Sequence, residues 1–102
     1  MRRYFVEYSN PISDVEEISE EEYTAIRLSD TFVGSDTYGR LYIYDTDALT
    51  MHYIDKDGLY GMHGFPRGQV HLTVTFLGEL DEMVQAAKET KERKGLISDK
   101  DK

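Results

Sequence analysis

Gln69–Lys94 reads QVHLTVTFLGELDEMVQAAKETKERK and joins two structural periods without a break. Val70, Leu72, Val74 and Phe76 alternate with Gln69, His71, Thr73 and Thr75. That alternation predicts a pleated strand with the apolar set on one face and a His-Thr-Thr row on the other. After Gly78 the period lengthens, and Leu80, Met83, Val84 and Ala87 recur at helical spacing. Asp81 and Glu82 at the start of this helix, and Lys88, Lys91, Arg93 and Lys94 at its end, complement its dipole, and Gly95 offers a stop. A strand leading into a helix that covers its apolar face is the unit around which the chain is expected to fold.

Upstream of that unit, Gly58–Gly68 (GLYGMHGFPRG) is rich in glycine and carries Leu59, Tyr60, Met62, His63, Phe65 and Arg67. It is expected to be a mobile loop presenting large contact residues. It lacks the glycine order of a nucleotide-binding loop. From Thr31 to Asp55 the sequence predicts strands at Thr31–Gly34, Arg40–Asp45 and Leu49–Ile54, separated by Asp-, Thr- and Gly-containing turns. Asp55-Lys56-Asp57-Gly58 superficially resembles a calcium loop, but aligning its glycine puts Tyr53 at the first ligand position and Gly64 at the closing glutamate, which excludes calcium. In the middle strand Leu41 and Ile43 share one face and Tyr42 and Tyr44 the other, so both faces carry apolar surface. Tyr4–Tyr8 predicts a further strand, ended by Asn10-Pro11. Ser13 and Ser19 are each followed three residues later by Glu, the reciprocal capping pattern; Ser19 with Glu22 is the stronger, with Tyr23 and Ile26 as the apolar stripe of a short helix. Glu16, Glu17, Glu20, Glu21 and Glu22 then read mostly as its solvated first turn.

These readings combine into an α+β fold of about five mostly antiparallel strands, with two helices packed on one face. A chain of 102 residues holds one core. Residues 1–95 are expected to form that domain and residues 96–102 a charged, frayed tail.

With no cysteine, neither a disulfide framework nor a thiolate metal site is available, and His52, His63 and His71 have no zinc-motif spacing. No metal or other cofactor is expected. No apolar run reaches the length of about 18 residues that crosses a bilayer, so a cytoplasmic location and no membrane partner are expected. The net charge of −8 is concentrated before Met83, after which bases outnumber acids. An acidic body repels phosphate backbones, which disfavours direct nucleic-acid binding and favours a protein partner with a basic surface.

Val70–Leu80, VHLTVTFLGEL, resembles the motif of the 2H phosphoesterases, in which an HxT or HxS strand runs into FLG and then a helix. The resemblance covers about a tenth of the chain. It implies His71 as a general acid or base and Thr73 as the hydroxyl that holds the phosphate, both on one strand face. That family places two such motifs across a cleft. Here His52 is followed by Tyr53-Ile54 and His63 by Gly64-Phe65, so a catalytic site would need a homodimer to supply the second copy.

Two functional classes therefore emerge. The first is a small acidic interaction or inhibitor protein of the phage or mobile-element type, with an anti-defence role, which blocks a host protein such as a nucleic-acid-binding or defence complex. Its contact residues would be Glu20, Glu21, Tyr42, Tyr44, Asp45, Tyr60, His63, Phe65 and Arg67. The alternative is a half-size phosphoesterase acting through His71 and Thr73 on a phosphodiester.

Overall fold

The computed structural model describes residues 1–9, 12–29, 32–64 and 70–100. Its elements run β1 (Arg2–Ser9), β2 (Ile12–Ile18), α1 (Glu20–Leu28), β3 (Tyr38–Asp45), β4 (Thr50–Asp55), β5 (Tyr60–Gly64) and α2 (Val70–Lys100). One sheet holds all five strands in the order β2-β1-β3-β4-β5, and every neighbouring pair is antiparallel. The fold is α+β, as the sequence pattern predicts.

Strands β1 and β3 form the centre, and each carries apolar residues on both faces. Phe5 stands opposite Tyr42, while Tyr4 faces Ile43 and Val6 faces Leu41. Since successive side chains alternate, this pairing sorts them into two cores. One contains Phe5, Tyr42, Tyr44 and Leu49 beneath Phe76, Leu80 and Ala87 of α2. The other contains Tyr4, Val6 and Leu41 beneath Tyr23 of α1 and Phe32. The two helices therefore lie on opposite faces of the sheet, and not on one. In the two cores Phe5 meets Tyr44 edge-on at 5.7 Å and Tyr4 meets Tyr23 at a tilt at 5.3 Å.

Helix α1 begins as its sequence dictates. The Glu22 N–H donates to Ser19 Oγ at 3.1 Å and the Ser19 N–H reaches back to Glu22 Oε1, closing the capping box. Helix α2 begins earlier than expected. The stretch read as a strand, 69–76, is helical from Val70 onward, and Val74 is exposed while Phe76 is fully buried. Phe76 belongs to the helical stripe continued by Leu80, Met83, Ala87 and Thr90, and packing along that stripe overrides the short alternation before it. The helix also continues past Gly95 to Lys100.

Three stretches differ from the expected pattern. Ile12–Ile18 is a strand, although Ser13 and Glu16 match a helix start, and Phe32–Gly34 is a turn. Tyr60–Gly64 is a strand where a loop is expected. The acids of β2 are neutralised from afar: Arg3 makes a two-point bond to Glu17 (2.7 and 2.8 Å), Lys94 bonds Glu16 at 2.6 Å, and Arg93 pairs with the buried Asp14. Among the described residues, no helix is long and apolar enough to cross a membrane.

Candidate functional site

The sheet has two outer strands, and their edges differ. Along β2 the Val15 N–H donates to Thr90 Oγ1 at 3.2 Å, while the Thr90 hydroxyl donates to the Ala86 carbonyl at 2.9 Å. Thr90 is itself buried, so α2 caps this edge with a satisfied polar contact. Beyond β5 no strand lies among the described residues. Its five residues, YGMHG, include no proline and no Asp, Glu, Lys or Arg. Those are the devices by which exposed edges are ordinarily protected from pairing.

Local chemistry explains why such a strand forms. Asp55 Oδ1 accepts from the Asp57 and Leu59 N–H groups (2.9 and 3.0 Å), and Gly58 takes a left-handed φ of 81°, turning the chain back from β4. Gly61 stands opposite Tyr53, whose ring covers it so closely that an added Cβ would overlap the ring. The Arg40 guanidinium lies over the other part of this cluster, 5.1 Å from the Tyr53 ring centre. Tyr60, Met62 and the preceding Leu59 remain exposed, at 61, 58 and 65 % of their surface.

Register places Tyr60 and Met62 on the α1 face, opposite Ile54 and His52. There a cleft of about 210 Å³ opens between Tyr23 and Arg27 of α1 and the sheet residues Arg2, Asp45, His52 and Tyr60. The Tyr60 hydroxyl is hydrogen-bonded to His52 Nδ1. Asp45 accepts from the Ala48 and Asp47 N–H groups (3.0 and 2.9 Å) and from Arg2 Nε at 3.3 Å. The Ala48 N–H, helped by those of Asp47 and Arg2, holds its carboxyl below the usual carboxylate range. A larger groove of about 670 Å³ runs between β2 and α2, where Lys94 and Glu16 neutralise each other across it.

The residues expected to make contacts thus divide. Glu20 and Glu21 are exposed in the first turn of α1, on the same face of the sheet as Asp45 and Tyr60. Tyr42 and Tyr44 are buried under α2, which makes them core residues and removes them from any contact surface. Burial pushes the Tyr44 hydroxyl up to about 12. His63 is exposed on the opposite face, paired with Met51. Phe65 and Arg67 lie outside the described residues. His71 and Thr73 lie in helical backbone, so the strand that would place them on one face is absent; their side chains are outside the described residues. Met62 was legible as a large residue in the glycine-rich stretch. Arg2, Arg27 and His52 had no local signal, because elements distant in sequence bring them together.

Comparison with protein-family models, with curated proteins and with solved structures finds no match to this chain.

Proposed function

We propose that the protein is a small acidic binding module that docks on another protein and blocks it, adding an extended segment of the target to the open β5 edge. The carrying observation is the coincidence, on one strand, of an edge beyond which no strand lies among the described residues and the two exposed side chains Tyr60 and Met62. Main-chain pairing along such an edge gives affinity, and the side chains that alternate beside it give selectivity. Aromatic and Met side chains are the types enriched at interfaces.

Charge indicates the partner. Glu20, Glu21 and Glu22 stand in the first turn of α1, on the same face as Tyr60 and Met62, in a chain of net charge −8. A basic target surface is steered toward this face. A host nucleic-acid-binding or defence complex presents such a surface, so a phage- or mobile-element-type inhibitor is the role that best fits the module.

The test uses tagged protein to isolate the target, then compares the affinity of wild type and Met62→Lys over a range of salt. Placing a charge on the edge should weaken binding about tenfold or more while leaving the melting temperature unchanged. Binding to wild type should weaken as salt rises, because exposed charges are screened over about 8 Å at physiological ionic strength. Equal affinity of the two proteins would overturn the reading. So would a wild-type dimer in sedimentation that Met62→Lys disperses, since the occupant of the edge would then be a second copy of this chain.

A further inference from the structure

We propose that the cleft between α1 and the β3–β4–β5 portion of the sheet binds a phosphate-class oxyanion, either inorganic phosphate or the phosphate group of a small metabolite. The first ground is a guanidinium with no carboxylate partner among the described residues. Arg2 bonds Asp45, Arg3 bonds Glu17, Arg93 bonds Asp14, and Arg40 lies over Tyr53. Arg27, in the last turn of α1, has no carboxylate partner among the described residues, although the chain carries 20 acids against 12 Lys and Arg. It borders a cleft instead.

The second ground is the composition of the opposite wall. Arg2 reaches Asp45 through Nε alone, so its terminal nitrogens are outside that ion pair, with the Tyr4 hydroxyl as a neighbour. Asp45 is already satisfied by two backbone N–H groups and Arg2, which offsets its repulsion of an incoming anion. The Tyr60 hydroxyl holds the His52 ring by Nδ1, leaving Nε2 as the ring nitrogen available to a ligand. Tyr23 supplies a further hydroxyl beside Arg27. Two guanidiniums against one carboxylate leave the cleft lining with an excess of positive charge in an acidic protein. Guanidinium forks suit the oxygens of a phosphate.

Size narrows the ligand. A cleft of about 210 Å³ is below the usual 300–1,000 Å³ of drug-sized ligand sites, so it suits a phosphate with a small attachment and not a polymer. The site is distinct from the β5 edge proposed above, although Tyr60 borders both, and its test needs no protein target.

The test titrates the full chain with sodium phosphate at constant ionic strength, balanced with sodium chloride, and follows the His52 ring signals by NMR. A saturable shift is expected in wild type, at least tenfold weaker in Arg27→Gln and partly restored in Arg27→Lys. Arg27 is exposed and pairs with no described carboxylate, so the folded spectrum should survive both changes. Absence of a saturable shift, or equal affinity in wild type and Arg27→Gln, would overturn the proposal. An equal response to sodium acetate would assign the cleft to carboxylates and overturn the phosphate class.

Discussion

The two outer strands of this sheet face the same problem and meet it differently. Strand β2 carries Asp14, Glu16 and Glu17; α2 answers the first two with Arg93 and Lys94 and takes the Val15 N–H on the Thr90 hydroxyl, while Arg3 of β1 answers Glu17. Strand β5 carries Tyr60, Met62, His63 and two glycines, and no described element covers its outer side. An edge can be closed by charge and a packed helix, or left ready to pair. Among the described residues one molecule has both states, and the docking site proposed above is the open one.

The contrast can be broken most severely at Arg93. Arg93→Ala would strand the buried carboxylate of Asp14, whose side chain is only 4 % exposed, whereas Arg93 is 58 % exposed. The loss of stability should fall between the ~1 kcal/mol of a surface pair and the ~3–5 kcal/mol of a buried one. Chemical denaturation measures it, and the double variant Arg93→Ala with Asp14→Asn should recover part of the loss. At Thr90 the expected effect is smaller. Thr90→Val keeps the shape but leaves the Val15 N–H without its acceptor, a cost of about 1–3 kcal/mol in the same denaturation experiment.

At the open edge the expected signature is the reverse, a binding defect without a stability defect. Tyr60→Ala should weaken target binding by more than about 1 kcal/mol and leave the thermal midpoint nearly unchanged, since Tyr60 is 61 % exposed. Isothermal titration of the isolated target, paired with calorimetric melting, separates the two quantities. A large fall in melting temperature with intact binding would place Tyr60 in the fold instead.

The gentlest probe is alkaline pH. Burial, the largest cause for both, pushes Tyr8 and Tyr44 up to about 12 from the ordinary 10. Their folded forms keep protons that the unfolded chain gives up, so their contribution is intact below about pH 10 and is lost as pH rises toward about 12. Tyr8 packs against Lys94, and Tyr44 against Phe76 of α2. Tyr44 belongs to the core under α2 and Tyr8 packs on the core of the other face, so the fold should loosen in that window, which tyrosine absorbance and circular dichroism follow together. Tyr44→Phe should reduce the slope.

What the sequence disclosed was mainly what is local. The Ser19–Glu22 capping box, the turns at Asp45 and Asp55, and the double-sided strand around Leu41–Tyr44 are determined by neighbouring residues, and each is present. Strand β2 escaped because Ser13 and Glu16 satisfy a helix-start pattern, while two of the three bases that make an acidic strand tolerable, Arg93 and Lys94, lie nearly 80 residues from their partners. The start of α2 escaped because Val70–Phe76 alternates, and only packing on the sheet distinguishes the two periods. Tyr42 and Tyr44 read as contact residues because nothing in their own strand shows that α2 crosses above them. Strand β5 read as a loop because its glycines have no strand propensity; the Tyr53 ring on Gly61 supplies the packing that a side chain would have given. The exposure of Leu59, Tyr60 and Met62 in that stretch was nonetheless legible.

The central claim is that β5 is the docking edge and β2 the closed one. Amide hydrogen exchange, measured on the free protein and on its complex with the isolated target, tests it most directly. In the free protein the Val15 amide should be protected by Thr90, while amides within Tyr60–Gly64 exchange faster. On binding, protection should rise at Tyr60–Gly64 and stay unchanged along Ile12–Ile18. Protection that appears along β2 or α2, with none gained at β5, would contradict the account.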